Sequence, residues 1–142
     1  MTETSPAPLR HLGLHLVYEG SHFQGYQIQP GQRTVQRELE IALEKVLGHV
    51  CSTVCAGRTD AGVHARAQFV HFQTPHTFPL GRLPLALQRH LPTDMAVLQA
   101  HELSFDFHAR FSALSRCYRY FIQPKARPLP FNARYCWLYP YD

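Results

Sequence analysis

The stretch HLGLHLV, residues 11–17, decides how the fold begins, because every second residue in it is leucine. Leu12, Leu14 and Leu16 lie on one face of an extended chain, and this period of two is typical of a strand with one face in a hydrophobic core. We therefore expect the first strand here. Residues 1–9 are polar and contain prolines, so they are expected to form a flexible tail.

A helix is expected next, after a loop at residues 19–33 that is rich in glycine and proline. Thr34 can cap the first turn of this helix and Gly48 can end it. Between these two residues the apolar side chains recur at helical spacing, at Val35, Leu39, Ala42, Leu43, Val46 and Leu47. That spacing predicts an amphipathic helix that ends near Leu47.

A hairpin, a second helix and a further strand follow. Residues 50–56 are rich in β-branched side chains and cysteine, residues 57–63 contain two glycines, and residues 65–72 alternate, which predicts two strands joined by a turn. Leucines four residues apart predict a helix over residues 80–91, with Pro84 in its first turn. Residues 94–101 are expected to form the next strand.

The resulting order βαββαβ is typical of ferredoxin-like α+β folds, in which an antiparallel sheet carries its helices on one face. Residues 116–123, where Tyr118, Tyr120 and Ile122 alternate with other side chains, are expected to add an extra strand to this sheet. Residues 124–142 contain four prolines and no clear element, so we expect an extended tail or linker there.

The composition is that of a single globular domain. Of the 142 residues, 45% are hydrophobic and 17% are charged, which is enough for one core and too little charge for a disordered polyelectrolyte. No apolar stretch approaches the roughly 18 residues that cross a bilayer, and the N-terminus has no apolar signal core. We expect a cytoplasmic protein that is neither secreted nor inserted in a membrane.

The charge and the metal-binding residue types limit the possible partners. The net charge is +4, and twelve of the fourteen basic residues are arginine. Arginine binds phosphates and stacks on bases, which favours a nucleic-acid partner, although a merely soluble arginine-rich surface is about equally compatible. The four cysteines and ten histidines lack the spacings of zinc sites, so we expect no metal and reduced, mostly buried thiols.

The turn of the predicted hairpin, GRTDAGVH at residues 57–64, carries an unusual carboxylate. Asp60 is the single acidic residue between Lys45 and Arg89, a span that also contains Arg58 and Arg66. It would repel any phosphate that these arginines attract, which suggests a chemical role. The alternative is that Asp60 is an ordinary turn residue whose side chain bonds to the backbone two positions on, with Gly62 adopting a positive φ.

The run GRTDAGVHARAQFVHF, residues 57–72, resembles the active-site motif of the TruA family of tRNA pseudouridine synthases. Further blocks follow the same order as in that family: YEG and FQGYQ at residues 18–20 and 23–27, TVQ and LE at residues 34–36 and 39–40, LP at residues 91–92, and FHARF at residues 107–111 with Arg116, Tyr118 and Tyr120. The resemblance covers about residues 12–122, and its five ordered blocks make chance similarity very unlikely.

The resemblance implies conversion of uridine to pseudouridine in the anticodon stem-loop of tRNA, without a cofactor. Asp60 would be the catalytic carboxylate, acting either as nucleophile at C1′ or as base at C2′. Arg58 would enter the RNA stack and hold the flipped nucleotide, and would pair with Asp60 when RNA is absent. Tyr118 would pack on the uracil and assist proton loss from C5, or else be an ordinary core tyrosine. His64 and Arg66 are expected to bind substrate beside them.

Length is the main departure from the family. Family members continue into a second α+β half, the cleft lies between the two halves, and a homodimer adds surface for tRNA. Residues 10–123 would then be the catalytic N-terminal half, in a fragment or in a shortened homologue. Two other functions stay open: a noncatalytic RNA-binding module, and a domain that serves protein assembly alone, which would leave Asp60 and the arginines unexplained.

Overall fold

The computed structural model describes residues 7–124, 127 and 129–141. Its helices and strands, in chain order, are β1 (Arg10–Tyr18), α1 (Val35–Leu47), β2 (Val54–Cys55), β3 (Ala65–Thr74), α2 (Leu83–Gln88), β4 (Met95–Glu102), β5 (Ile122–Pro124) and β6 (Trp137–Tyr139). Short 3-10 turns lie at Gly20–His22 and Leu80–Arg82. The predicted order βαββαβ is confirmed. Of the tail expected at residues 1–9, the first six residues lie outside the described part of the chain.

The first four strands form one antiparallel sheet in the order β2-β3-β1-β4. Leu14 of β1 lies opposite Val70 of β3 on one side and opposite Ala100 of β4 on the other. Cys55 of β2 also pairs with Val70, so β2 and β3 form the predicted hairpin. This strand order is the one that a split βαββαβ topology produces, and the α+β ferredoxin-like fold class is confirmed.

One face of this sheet carries the hydrophobic core. Leu12, Leu14 and Leu16 are at most 1% exposed, as their alternation predicts. They share a single apolar cluster with buried side chains of both helices, among them Leu39, Leu43, Leu83 and Leu87. Burial of a leucine side chain contributes about 1.5–3 kcal/mol, so these two stripes hold the helices to the sheet.

The ends of α1 are also as predicted. The backbone N–H of Arg37 donates to Thr34 Oγ1 over 3.3 Å, which satisfies one of the unpaired donors of the first turn. Gly48 follows the last turn with φ 76°, and its N–H donates to the carbonyl of Glu44 over 2.8 Å. A left-handed backbone conformation at this position favours glycine, because glycine has no Cβ.

Two elements are shorter than expected. The second strand covers Val54–Cys55 of the expected 50–56, because the N–H of Thr53 donates to the side chain of Glu40 on α1 over 2.8 Å and not to a neighbouring strand. The second helix is limited to Leu83–Gln88, preceded by a 3-10 turn, and Pro84 lies in its first turn as predicted.

The extra strand expected at residues 116–123 does not extend the main sheet. Ile122–Pro124 pairs in parallel with Trp137–Tyr139 in a separate two-stranded sheet, and residues 116–121 form no strand. This segment is joined to the end of β2 by a side chain and not by backbone pairing: Arg116 Nε donates to the carbonyl of Ala56 over 2.9 Å. The alternating Tyr118, Tyr120 and Ile122 therefore bury no face, and each is more than half exposed.

The second face of the sheet is covered in part by residues 103–111. The N–H of Leu103 donates to the carbonyl of His11, and His11 Nε2 donates to the carbonyl of Phe107, each over 2.8 Å. The N–H of Ala109 donates to Nδ1 of His71 over 2.9 Å. Three histidines from different parts of the chain, His11, His71 and His108, thus lie together on this face, with neighbouring ring centroids 4.7–4.8 Å apart.

The four cysteines are free thiols. Cys51 and Cys55 are buried, Cys117 is exposed and Cys136 is half-buried, so the expectation of mostly buried thiols holds for two of them. Burial raises the pKa of Cys51 to about 11 and also raises that of Cys55. In the described part of the chain, no helix has the length and apolarity to span a bilayer.

Candidate active site

The turn that carries Asp60 is held from its inner side by backbone and side-chain hydrogen bonds. The carbonyl of Gly57 accepts from Gln68 Nε2 on β3 over 2.6 Å. The carbonyl of Thr59 accepts from the N–H of Tyr26 over 3.0 Å, and its hydroxyl lies 2.8 Å from the hydroxyl of Tyr18 on β1. The residues on either side of Arg58 are therefore fixed to the sheet and to the preceding loop, while Arg58 itself is exposed.

The loop at residues 19–33 packs directly beneath this turn. A Cβ on Gly20 would lie 2.0 Å from the carbonyl oxygen of Val63, and one on Gly25 would lie 2.5 Å from that of Thr59. No real Cβ approaches an oxygen so closely, and Gly25 also has φ +79°. Glycine at both positions lets the two backbones touch.

The same loop is fixed to the rest of the domain by an ion pair. Arg33 donates to both carboxylate oxygens of Asp94 over 2.8 and 2.9 Å, and its guanidinium lies 4.1 Å from the ring centroid of Phe23. The hydrogen bonds from Arg33 hold the pKa of Asp94 below its usual range. Bidentate pairs of this kind restrict orientation as well as distance.

Asp60 takes part in the turn through its backbone, because its carbonyl accepts from the N–H of Val63 over 3.1 Å. The N–H of Gly62, two positions on, donates to the carbonyl of Phe23 over 3.1 Å, and among the described residues nothing donates to the Asp60 carboxylate. The side-chain bond to the backbone two positions on, which the interpretation of Asp60 as a turn residue requires, is therefore not formed, although Asp60 does lie in a turn and Gly62 adopts the expected positive φ, 82°. The carboxylate is exposed and free to act on another molecule.

The expected ion pair between Arg58 and Asp60 is also not formed. The described residues form ion pairs between Arg10 and Glu102 and between Arg33 and Asp94, and the ring of His64 lies beside the Glu19 carboxylate. Both Arg58 and Asp60 are exposed, and a surface ion pair contributes only about 0–1 kcal/mol, too little to draw two hydrated side chains together.

A cavity of about 440 Å³ opens beside the turn. Three arginines, Arg58, Arg110 and Arg116, line it together with the rings of Phe111 and Tyr118. The described residues of its lining include no carboxylate, so the cavity is strongly basic. Cationic side chains combined with accessible aromatic rings are typical of sites for single-stranded nucleic acid.

Tyr118 is 64% exposed, so the interpretation of this residue as a core tyrosine is wrong. Its hydroxyl lies 3.8 Å from the position that a Cβ on Gly57 would take, which places the ring at the start of the Asp60 turn. The structure thus brings Tyr118 and Arg58 to the lining of one cavity, and Asp60 lies outside that lining.

His64 and Arg66 are not brought to that cavity. Nδ1 of His64 accepts from the N–H of Gly20 over 2.8 Å and lies 3.0 Å from the carboxylate of Glu19, and its ring contacts the edge of Tyr135. Arg66 is exposed on β3, outside the lining. His64 therefore braces the loop, and Arg66 is available to solvent.

Sequence reasoning did not select Arg110, Arg116 or Phe111 as site residues, although the block FHARF and Arg116 were part of the family resemblance. Arg116 Nη2 donates to the carbonyls of Ala56 and Arg110, over 2.6 and 3.1 Å. It therefore ties the segment around residue 110 to the end of β2 and completes the cavity wall.

Metal-binding side chains are not grouped in this region. Within residues 7–124, 127 and 129–141, no three or more histidine, cysteine, aspartate or glutamate side chains are placed to hold a metal ion. Cys55, which lies in the cavity lining, is buried, and this burial raises its pKa and favours the protonated thiol.

Fold and cavity together define an α+β domain with a basic, aromatic site beside an exposed aspartate, and comparisons with known proteins show its family. A family model described as tRNA pseudouridine synthase matches residues 16–112. The chain belongs to this tRNA pseudouridine synthase family.

Curated relatives agree over almost the whole chain. A protein of Bacillus pumilus named tRNA pseudouridine synthase A is 48% identical over 126 residues, which is 87% of this chain and 51% of the relative. Proteins of the same name from Halalkalibacterium halodurans and Thermosynechococcus vestitus are 45% and 42% identical, and the matches cover 94% and 99% of this chain and 52% and 50% of those relatives. The chain therefore spans about half the length of the curated relatives it matches.

Proposed function

We propose that this chain supplies the catalytic half of an isomerase that converts uridine to pseudouridine in the anticodon stem-loop of tRNA. Family membership and the names of the relatives support the tRNA substrate. The observation that carries the proposal is the exposed carboxylate of Asp60, which bonds to none of the described residues, on a turn that is fixed from below and borders a basic cavity.

The reaction would rearrange one base without net redox change. The bond from C1′ to N1 breaks, the uracil turns within the site, and a new bond forms from C1′ to C5; the base loses a proton at C5 and gains one at N1. Asp60 would act either as the nucleophile that holds C1′ or as the base that removes a proton at C2′. No electron acceptor, hydrolytic water or energy source is required, so we propose that no cofactor takes part.

Arg58 and Tyr118 would hold the nucleotide during the rearrangement. Arg58 is exposed and lines the cavity, and its guanidinium can enter the stack that the extruded uridine leaves. The exposed ring of Tyr118 can pack on the uracil, with its hydroxyl near C5 to assist proton loss. His64 and Arg66 would contact RNA outside the cavity, Arg66 through a phosphate.

The complete enzyme is proposed to need more than this chain. We assign residues 10–123 to the catalytic half and residues 124–142 to a connection toward a second half that supplies the opposite wall of the cleft. A homodimer would then add tRNA-binding surface. Because a tRNA substrate is available in the cytoplasm, we propose that location for the enzyme.

The experiment that tests the catalytic assignment replaces Asp60 by asparagine in the polypeptide encoded by the complete reading frame. Asp60→Asn should abolish release of tritium from C5-labelled uridine in tRNA, while the affinity for tRNA stays within a few fold. Glu44→Gln, which removes an exposed carboxylate on α1, is the matched control and should release tritium at the unmodified rate. Turnover by Asp60→Asn near the control rate would end the assignment and leave a noncatalytic RNA-binding module as the better account.

A further inference from the structure

Phe111 presents an aromatic surface that the catalytic proposal does not use. Its ring stacks on the ring of His108, with centroids 4.2 Å apart and an interplanar angle of 24°. The side chain is nevertheless 77% exposed. One face of the phenyl ring is thus covered by the histidine, while most of the side chain is accessible to solvent among the residues that line the basic cavity.

This pair of rings is held rigidly on the sheet. Nδ1 of His108 accepts hydrogen bonds from the N–H groups of Arg110 and Phe111, over 3.2 and 3.1 Å. Ala109, which lies between His108 and Arg110 in the sequence, is 2% exposed, and its N–H donates to Nδ1 of His71 on β3. The segment that presents Phe111 is therefore fixed before any ligand binds, which lowers the entropy that binding would cost.

A free cationic group accompanies the open ring. The guanidinium carbon of Arg110 lies 5.8 Å from the centroid of Phe111, and Arg110 lines the same cavity as Arg58. Arg116 is engaged with two backbone carbonyls. Arg110, in contrast, has no carboxylate partner among the residues that the structure describes.

We propose that Phe111 and Arg110 form a binding site for an unpaired nucleotide next to the uridine that is modified, an inference that rests on the proposed function. The base of this nucleotide stacks on the accessible surface of Phe111 and extends the stack that begins with His108. Arg110 contacts its phosphate. Stacking on an aromatic ring accepts any base, so this site holds the strand and does not read its sequence.

RNA is favoured over a protein partner because of the charge around the ring. The central part of a protein interface is depleted of charged residues, whereas Phe111 lies among arginines in a cavity whose described lining has no carboxylate. The charge pattern matches a phosphodiester strand.

The test measures binding of a fluorescently labelled RNA stem-loop with unpaired loop uridines to the polypeptide encoded by the complete reading frame. Phe111→Ala and Phe111→Leu should both weaken binding by roughly 5- to 150-fold, whereas Phe111→Trp should bind at least as tightly as the unmodified protein. Leu114→Ala, which removes a fully exposed aliphatic side chain nearby, is the control and should not change binding.

The salt dependence separates the two contacts of the site. Arg110→Gln should weaken binding and reduce the slope of log K against log salt by about 0.7, the value for one phosphate of a single strand. Phe111→Leu should weaken binding with an unchanged slope. Arg37→Gln, an exposed arginine on α1, should keep both the affinity and the slope.

Two results would overturn the inference. Binding by Phe111→Ala within twofold of the unmodified protein would show that no base stacks there. Full binding by Phe111→Leu, with a lowered melting temperature for Phe111→Ala, would show that the side chain packs against protein. These measurements are made at equilibrium and need no turnover. If the Phe111 and Arg110 variants weaken binding as expected but the unmodified protein releases no tritium, the proposed reaction is refuted and this binding site stands.

Discussion

His71 should make the stability of this chain sensitive to acid. Its Nδ1 accepts a hydrogen bond from the N–H of Ala109 over 2.9 Å, so a proton on Nδ1 would replace an acceptor by a second donor. Burial, together with the neighbouring His11 and His108, lowers the pKa of His71 from 6.5 to about 4. The folded chain therefore keeps this imidazole neutral at pH values where an unfolded chain would protonate it.

The size of the effect follows from the linkage between proton binding and folding. Because the pKa is lower in the folded state, the stabilisation is complete above pH 6.5 and is lost as the pH falls toward about 4. One pKa unit corresponds to about 1.4 kcal/mol, so the full loss is about 3 kcal/mol, of which about 2 kcal/mol falls between about pH 7 and about pH 5. This is a large part of the stability of a small domain.

Urea unfolding followed by circular dichroism, repeated across this pH range, would measure the loss. In His71→Asn, the amide oxygen can accept from Ala109 but cannot titrate. The unfolding free energy of the unmodified protein should therefore fall by about 2 kcal/mol relative to that of His71→Asn between about pH 7 and about pH 5. His90→Asn removes an exposed histidine elsewhere and should keep the full dependence. Parallel pH curves for the unmodified protein and His71→Asn would refute the reasoning.

Two further predictions concern the turn and the chemistry. Gly25→Ala should lower the unfolding free energy by the ~1–2 kcal/mol of a left-handed alanine and by the further cost of displacing Thr59. It should also reduce turnover, because Thr59 precedes Asp60. Gly31→Ala, at φ +71° with nothing within 4 Å of its Cβ, should show only the cost of the left-handed alanine in urea unfolding and should leave tritium release unchanged. Equal effects on both glycines would contradict the contact with Thr59. Turnover should survive EDTA once magnesium has been restored for tRNA folding, and a specific requirement for zinc in the tritium assay would show a metal site that the sequence interpretation missed.

Local patterns in the sequence were sufficient for much of the fold. The alternation in β1 and the caps of α1 each depend on contacts within a few residues, and both predictions are confirmed. The prediction of an extra strand in the main sheet was wrong because it depended on a contact with a distant part of the chain. Alternation at Tyr118 and Tyr120 shows that these residues could fill one face of a strand, but it carries no information on whether a neighbouring strand is there to receive them.

The site required contacts between distant parts of the chain. The interpretation of Asp60 as a turn residue required its side chain to bond to the backbone two positions on, but the N–H of Gly62 donates to the carbonyl of Phe23 in an earlier loop, which spacing cannot reveal. The family resemblance supplied Asp60, Arg58 and Tyr118, whose catalytic roles stay proposals. Phe111 and Arg110 stand out only once the cavity and the support from His71 are known.

The turn at residues 57–62 is held largely through its own backbone atoms. The carbonyls of Gly57, Thr59 and Asp60 and the N–H of Gly62 form the bonds that hold it, and the Thr59 hydroxyl adds a side-chain bond. The side chains at positions 58 and 60 take no part in these bonds, so we expect them to contribute little to the stability of the fold. A library randomised at these two positions should consist almost entirely of folded proteins, so new reactivity could be selected there without a stabilising mutation elsewhere.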